Sequence, residues 1–179
     1  MDRQSARLKK LIEDLLEASK ASTGNVEMHM EACDAAVMIS QVVGEYQDKL
    51  QAQDIEIVVN EAKNPANIMA DGRHLWRVFD NIMSNICKYT QDHTRVYVNV
   101  EDAGDQVRMI FKNISKYPLN ISSDELMERF VRGDASRNTE GHGLGLSIAS
   151  SLTALMDGQL TIDIGGDLFK ITVAMKKQA

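Results

Sequence analysis

The residues best suited to chemistry lie in one stretch, His74 to Thr90, which reads HLWRVFDNIMSNICKYT. At about 100° per residue, a helix over this stretch separates two faces. The apolar face gathers Leu75, Val78, Phe79, Ile82 and Ile86. The polar face gathers His74, Arg77, Asn81, Asn85 and Lys88, with Tyr89 at its border. The stretch therefore predicts an amphipathic helix whose polar face carries two asparagines and a lysine.

Two asparagines at i and i+4 in mid-helix are unusual, because Asn side chains compete for backbone hydrogen bonds and weaken a helix. An Asn carbonyl oxygen is a hard ligand suited to Mg²⁺, and Lys88, one turn beyond Asn85, could meet a phosphate. The pattern indicates a binding face for a polar ligand. On this helix alone, a tolerated polar face without a ligand remains the alternative.

A second stretch, residues 129–149, reads RFVRGDASRNTEGHGLGLSIA and carries glycines at Gly141, Gly143 and Gly145. A helical apolar face follows it. A glycine-rich loop that opens a helix lets backbone N–H groups approach phosphates, and a helix N-terminus favours anions. The stretch has no GKS/T and no GxGxxG after a strand, so it matches neither common phosphate-loop pattern.

Together and in this order, the two stretches resemble the ATP-binding catalytic domain of sensor histidine kinases, within the gyrase, Hsp90, histidine kinase and MutL ATPase superfamily. The helix matches the family's N box. FVRGDASRN matches the region after its F box, and GHGLGLSIA matches its second glycine box. The resemblance covers residues 30–176 and implies ATP and Mg²⁺ as ligands.

The resemblance implies a role for each matching residue. Asn85 matches the N-box ligand of Mg²⁺, and Asn81 supports the phosphates or the metal shell. Lys88 and Arg132 match positions that neutralise phosphate charge, since Lys supplies a point charge and Arg a bidentate contact. Tyr89 would cover the nucleotide with its ring.

The remaining implied ATP-binding residues belong to a lid over residues 131–141 and to the glycine box. The backbone of the glycine box would wrap the triphosphate, and ordering of such a loop on binding is a common gating device. These residues are Phe130, Arg137, Gly141, Gly143, Leu144 and Gly145. Phe130 matches the F-box aromatic that anchors the lid, and simple core packing is its alternative role.

One departure concerns the first glycine box, which normally reads DxGxG and whose Asp accepts a hydrogen bond from the adenine amino group. Here the strand ends FKNISKYPLNI, with Asn113 in place of the Asp and Ser115 and Tyr117 in place of glycines. An Asn oxygen still accepts from adenine, but without charge assistance. We therefore expect ATP binding weaker than in a relative with an intact box.

Composition sets the broad class. The chain has 179 residues, 44% of them hydrophobic and 26% charged, which is globular and long enough for a real core. A net charge of −6 argues against nucleic acid as a partner. Cys33 and Cys87 lie far apart without a CxxC, so free thiols are expected. No secretory leader or membrane-length apolar run is present, which predicts a soluble chain. The resemblance implies the cytosolic part of a membrane-anchored bacterial sensor.

Residues 3–21 predict a helix with a narrow, coiled-coil-like apolar stripe at Leu8, Leu11, Ile12, Leu15 and Leu16. The resemblance makes residues 1–24 the second helix of the dimerisation and phosphoacceptor hairpin, and residues 25–179 the catalytic domain. Packing of this helix on its own domain is the alternative. The family's phosphoacceptor histidine lies on the first helix of that hairpin, so it is absent from this chain.

The remaining elements alternate between strands and helices. Strands are predicted at 25–31, 55–59, 67–71, 95–102, 106–113, 159–164 and 168–175. Helices are predicted after Asp34, over the N box, from Ser122 or Ser123 to Arg129, and over 143–156. The expected fold is an α/β (α+β) two-layer sandwich, a mixed sheet with helices on one face, preceded by the single helix.

Two classes of function remain. The first is a kinase domain that uses Mg²⁺ and ATP to phosphorylate a histidine on the hairpin, from which a response regulator takes the phosphoryl group onto an Asp. The second is a scaffold or dimerisation module with a degenerate nucleotide site. The N box, the basic residues and GxGLGL favour the first, whereas the altered adenine loop favours the second. A serine-directed kinase of the same superfamily is a third reading, against which the N-terminal helix argues.

Overall fold

A computed structural model of the chain describes residues 2–64, 66–119, 121–126 and 144–179. The helices are α1 (Arg3–Thr23), α2 (Ala35–Gln51), α3 (Gly72–Tyr89) and α4 (Leu144–Leu155). The strands are β1 (Glu31–Asp34), β2 (Glu56–Asn60), β3 (Asn67–Ala70), β4 (Arg95–Asp102), β5 (Gln106–Ile114), β6 (Gln159–Gly165) and β7 (Leu168–Lys176). Residues 123–126 form a helical turn, in which the Ser122 hydroxyl accepts from the Glu125 N–H at 3.2 Å.

The main sheet has five strands in the order β2-β4-β5-β7-β6. β2 pairs in parallel with β4, and the other neighbours are antiparallel. The hairpin turns predicted around Gly104 and at Gly165-Gly166 join β4 to β5 and β6 to β7. The mixed sheet predicted from the sequence is therefore confirmed.

The helices cover one face of this sheet. Along β4, Val96, Val98 and Val100 are buried in alternation with more exposed residues, as expected when only one face is covered. Phe79 of α3 packs against Phe111 of β5 with ring centroids 5.9 Å apart. The hydrophobic core thus lies between α3 and the sheet. This confirms the predicted two-layer sandwich.

The first strand lies later than predicted. Residues 25–31 alternate apolar and polar side chains, yet the strand begins at Glu31. β1 pairs antiparallel with β3, and Glu31 faces Ala70, the last residue of β3. Because α3 starts at Gly72, there is no partner strand for the residues before Glu31. Alternation of apolar and polar side chains therefore did not suffice, because a strand also needs a neighbouring strand for its backbone hydrogen bonds.

Helix α1 ends at Gly24, whose φ of 74° is the left-handed conformation that favours glycine at a helix C-terminus. Its apolar stripe faces outward, with Leu8, Leu15 and Leu16 all more than half exposed. The opposite side packs on the rest of the chain, where Ala21 is buried. Across the residues that the structure describes, no helix is both long and apolar enough to cross a membrane.

Candidate functional site

Helix α3 begins at Asp71, whose side chain holds two segments together. One carboxylate oxygen accepts from the N–H groups of Arg73 and His74 at 3.0 and 3.2 Å, and the other accepts from the His29 N–H at 2.8 Å. Burial raises the pKa of this carboxyl, but the backbone N–H groups and the His74 imidazole outweigh burial and hold the pKa below its usual range. Asp71 therefore caps α3 and anchors the segment that follows α1.

A cavity of about 360 Å³ runs along the polar face of α3. The predicted site residues that line it are Asn81, Asn85, Lys88, Tyr89 and Gly145. Asn85 and Tyr89 are half-buried, and Lys88 is exposed. The two stretches that carry the motifs, far apart in sequence, thus meet at one cavity.

Asn81 lies where α3 and α4 approach each other. Its side chain is 8% exposed, and its Nδ2 has no hydrogen-bond partner among the described residues. A Cβ on Gly145 would lie 3.7 Å from Asn81 Oδ1. An unpaired buried amide N–H costs about 1–3 kcal/mol. Its presence beside a cavity therefore fits a polar ligand that accepts a hydrogen bond from Nδ2. Leu144, the first residue of α4, is half-buried beside Gly145.

The donor set suits a magnesium ion that is bound together with phosphates. Within residues 2–64, 66–119, 121–126 and 144–179, no group of three His, Cys, Asp or Glu could hold a metal ion. The half-buried Asn85 instead offers one hard amide oxygen at the cavity. Mg²⁺ usually keeps several waters and takes few protein ligands when phosphates supply the rest, so this set fits it.

The residues predicted to bind adenine lie in a different setting. Asn113 is 3% exposed and lies on the same side of β5 as Phe111, facing the helices. Asn113 is not among the residues that line the cavity along α3. It borders a groove of about 300 Å³, but the other residues of that groove, such as Tyr97 and Lys112, lie on the opposite face of the sheet, so the Asn113 side chain does not point into it. The structure therefore does not bring Asn113 into one cavity with Asn81 and Asn85.

The loop after Asn113 is closed by a serine hydroxyl where the family has glycine. Ser115 Oγ donates to the Tyr117 carbonyl at 2.8 Å and accepts from the Tyr117 N–H at 3.2 Å. Such local hydroxyl bonds mimic a backbone turn. The Lys116 N–H donates to the Tyr89 carbonyl at 2.8 Å, and the Tyr89 and Tyr117 rings meet edge-on at 6.5 Å. The loop is thus tied to the C-terminal end of α3.

Sequence reasoning missed the contribution of α2 to the cavity wall. Tyr46 donates to Asp80 Oδ1 at 2.5 Å, and Lys49 Nζ lies 5.1 Å from the centre of the Tyr46 ring. Burial and the bond to Asp80 raise the pKa of the Tyr46 hydroxyl, which keeps it protonated as a donor. Burial raises the pKa of the Cys87 thiol to about 11 against the opposing effect of Lys49, so this thiol stays neutral. The spacing of residues in the sequence does not indicate that α2 packs against α3.

Helix α1 also reaches the cavity, through Lys10 and Asp14. These residues are one turn apart on the side of α1 opposite the apolar stripe. That position was the one feature of the sequence that could have indicated their contact with the rest of the chain. Five predicted site residues, Phe130, Arg132, Arg137, Gly141 and Gly143, lie outside the described residues.

A larger open groove of about 990 Å³ lies between α2 and the β2–β4 edge of the sheet. Gln51, Asp54, Glu56 and His93 are among its lining residues, and none of the predicted site residues lies there. We place the site in the smaller cavity because that cavity collects both motifs.

Comparison with known proteins agrees with this geometry. Residues 70–177 match the family described as histidine kinase-, DNA gyrase B-, and HSP90-like ATPase. This match covers more than half of the chain and includes α3, α4 and strands β4 to β7 of the main sheet. The chain therefore belongs to this ATPase family, and its catalytic fold is of the sensor histidine kinase type.

Individual relatives are sensor kinases. The chain is 28% identical over 173 residues to the probable sensor protein PcoS of Escherichia coli, covering 94% of this chain and 36% of PcoS. It is 28% identical to the sensor protein VanS of Enterococcus faecium, covering 86% of this chain and 40% of VanS. The chain thus spans little more than a third of the length of these relatives.

Solved structures support the fold. The chain superposes on the histidine kinase AdeS of Acinetobacter baumannii with a TM-score of 0.78 at 16% identity, covering 98% of this chain and 81% of AdeS. Full-length ShkA, whose structure is a complex with AMPPNP, gives a TM-score of 0.80 at 23% identity, covering 99% of this chain and 38% of ShkA. The likeness extends over α1 as well as the catalytic domain.

Proposed function

We propose that this chain binds Mg²⁺ and ATP in the cavity along α3 and transfers the terminal phosphoryl group to a histidine. The observation that carries the proposal is that Asn81, Asn85 and Lys88 of one helix face meet Gly145 of the glycine box around one cavity. Membership of the ATPase family supports ATP as the ligand.

Each residue has a role that follows from its chemistry. The Asn85 amide oxygen holds the metal ion, and the orphaned Asn81 Nδ2 donates to a phosphate oxygen. Lys88 neutralises phosphate charge from the exposed rim of the cavity, and Tyr89 covers the nucleotide. A magnesium ion held by Asn85 would offset phosphate charge during transfer. Arg132, Arg137, Phe130 and the glycines Gly141 and Gly143 remain predicted contributors.

The acceptor lies on a dimerisation hairpin, of which α1 is the second helix and residues 25–179 are the catalytic domain. The outward apolar stripe of α1 supports this assignment, since such a stripe needs a partner helix. Transfer forms a P–N bond on the histidine ring and releases ADP, and a response regulator then takes the phosphoryl group onto an Asp. A solved relative, ThkA, was crystallised in complex with a response regulator protein. We place the chain in the cytosolic part of a homodimeric sensor, without nucleic acid as a partner.

A second function is favoured by the adenine side. Asn113 is buried and does not line the cavity along α3, and Ser115 closes the loop where glycines normally allow it to fold over the base. A chain with these features could serve as a scaffold or dimerisation module with a degenerate nucleotide site. The kinase reading explains Asn81 and Asn85 better, because a scaffold does not need two mid-helix asparagines.

Binding is tested by calorimetric titration with a non-hydrolysable ATP analogue, with and without Mg²⁺. The expected result is a measurable dissociation constant that rises when Mg²⁺ is removed. No binding at millimolar analogue would mean that the changes around Asn113 have disabled the pocket, and the scaffold function would then lead.

Transfer is tested with labelled ATP and a supplied phosphoacceptor hairpin. Acid-labile label on a histidine is the expected result. Label on serine would point to the serine-directed branch of the superfamily. Binding of the analogue without label on a histidine would contradict the kinase function.

A further inference from the structure

The charged side chains that line the cavity along α3 are mostly cations. Four cations and two carboxylates line it, namely Lys10, Lys49, Arg77 and Lys88 against Asp14 and Asp80. The chain as a whole carries a formal net charge of −6. An excess of positive charge at one cavity of an acidic protein favours an anionic ligand.

The carboxylates around this cavity are bound to Arg77 and Tyr46. Asp14 Oδ1 accepts from Arg77 Nη2 at 3.1 Å, and Asp80 Oδ1 accepts from the Tyr46 hydroxyl at 2.5 Å. Arg77 Nη2 also donates to Glu17, just outside the cavity lining, at 2.8 Å. One guanidinium and three carboxylates give this cluster a charge of −2, so the three lysines bring the total to +1. The positive charge offered to a ligand therefore comes from the lysines.

Lys49 lines the cavity with its charge uncompensated. It lies in the last turn of α2, and its Nζ is 5.1 Å from the centre of the Tyr46 ring. Attraction to a ring face holds a cation in place without neutralising it. Across the part of the chain that the structure describes, Lys49 forms no ion pair with a carboxylate. Its ammonium group can therefore meet an anion without first losing a partner.

The charge of Lys49 acts inside the cavity as well as in the solvent around α2. The Tyr46 hydroxyl ties α2 to α3 through Asp80, which places the ring beneath Lys49 next to α3. Cys87 of α3 also lines the cavity, and the Lys49 charge lowers the pKa of its thiol against the larger effect of burial. Cys87 lies between Asn85 and Lys88 in the sequence, so Lys49 acts on the part of α3 that carries the proposed phosphate site.

We propose that Lys49 is a further phosphate-binding residue of this site, so that α2 and α3 hold the phosphates of the nucleotide between them. The proposal rests on the proposed function, because it needs a nucleotide in the cavity. Lys88 supplies one point charge from α3, and Lys49 supplies a second from α2. The alternative role for Lys49 is interaction with the dipole of α2, which favours a cation in the last turn of a helix. That role would stabilise the fold without affecting a ligand.

The test compares Lys49→Gln with the conservative variant Lys49→Arg and the control Lys63→Gln. Lys63 is exposed and borders a different groove, beside Asp34 and Glu61, so its loss changes the net charge equally without touching the cavity. Calorimetry measures the dissociation constant of AMPPNP with Mg²⁺. We expect it to rise about fivefold in Lys49→Gln at low salt. Lys49→Arg should restore the wild-type value, and Lys63→Gln should leave it unchanged.

Two further readouts distinguish a phosphate contact from a structural role. The loss in Lys49→Gln should shrink at high salt, because salt screens exposed charges. It should also be smaller for AMP, which carries a single phosphate, since the contact is with phosphate charge and not with the base. Thermal unfolding of each variant without ligand measures stability separately.

The outcomes separate the two proposals. If the wild-type chain binds AMPPNP and Lys49→Gln binds it equally tightly, the phosphate-binding role is overturned while the proposed function stands. A lower melting temperature without a loss of affinity would leave Lys49 with the helix dipole alone. An equal loss in Lys63→Gln would reduce the effect to net charge and would also overturn the contact. If the wild-type chain binds no AMPPNP, the proposed function fails, and the role of Lys49 fails with it.

Discussion

The two sides of the candidate nucleotide site are built in different ways. On the phosphate side, Asn81, Asn85 and Lys88 hold their places through the register of α3, and Gly145 meets them from α4. On the adenine side, Asn113 ends a strand, and its loop is closed by the Ser115 hydroxyl. Helix geometry fixes the relative positions of side chains on one helix face, whereas a loop can replace its glycines by another kind of turn. The difference teaches that the proposed phosphate side keeps the residue types of the family, whereas the proposed adenine side departs from them at Asn113, Ser115 and Tyr117.

The largest effect is expected at Asn85. Replacing Asn85 by Ala removes the amide oxygen proposed to hold Mg²⁺, and hydrogen-bonding or ligating partners of charged groups contribute about 1.5–3 kcal/mol. Affinity for the ATP analogue should fall by one to two orders of magnitude, and phosphoryl transfer should be lost. Calorimetry with and without Mg²⁺ measures this, since the variant should no longer respond to the metal.

A matched control is Asn64→Ala, which removes the same side chain from an exposed position before β3. Its affinity should equal that of the wild-type chain. If Asn85→Ala binds as tightly as this control, the phosphate side of the comparison is wrong.

Gly145→Ala separates binding from folding. The added methyl would sit 3.7 Å from Asn81 Oδ1, an ordinary contact, and Ala is about 1 kcal/mol better than Gly in a helix. The melting temperature should therefore hold or rise, while affinity for nucleotide falls because the phosphates can no longer approach the backbone. Thermal unfolding and calorimetry on one preparation measure both.

Gly158→Ala provides the contrast. Its Cβ would lie 2.4 Å from Met175 Sδ and 2.8 Å from the Ala174 carbonyl oxygen, so the substitution should lower the melting temperature.

Equal nucleotide affinity in Gly145→Ala and the wild-type chain would show that the glycine box does not touch the ligand.

The smallest effect is expected on the adenine side. Asn113→Ala should weaken ATP binding by about 0.5–1.5 kcal/mol if the amide oxygen accepts from the base, because a neutral hydrogen bond contributes less than a contact with a charged group. The loss should vanish with inosine triphosphate, which lacks the adenine amino group. An unchanged dissociation constant for ATP would remove Asn113 from the site and sharpen the contrast between the two sides.

The periodicity of apolar residues predicted those elements whose bounds depend on residues close together in the sequence. β4 begins and ends where its alternation does, and the apolar repeat predicted α3 from His74 onward. Asp71, which was predicted to end the strand 67–71, instead caps that helix. The polar face of α3 likewise gave Asn81, Asn85 and Lys88 together, because 3.6 residues per turn align them without help from the rest of the chain.

The remainder depends on contacts between elements, which periodicity does not encode. Tyr46 reaches the cavity because α2 packs beside α3, and Arg77 finds Glu17 sixty residues away. The serine turn at Ser115 replaces a glycine pattern by a hydroxyl bond, so a glycine count alone could not have found it. The start of β1 was set by where β3 ends.

The left-handed Gly24 that ends α1 also gives this helix the geometry of a lever. At 1.5 Å per residue, Arg3 lies about 30 Å from Gly24 along the axis, and Glu17 lies about 10 Å from it. If α1 tilts about Gly24, a sideways displacement at the far end is reduced about threefold at Glu17. A movement of about 3 Å at Arg3 then shifts Glu17 by about 1 Å, enough to lengthen its bonds to Arg77 beyond hydrogen-bonding distance. A small movement at one end of α1 would thereby weaken a specific contact beside the cavity along α3.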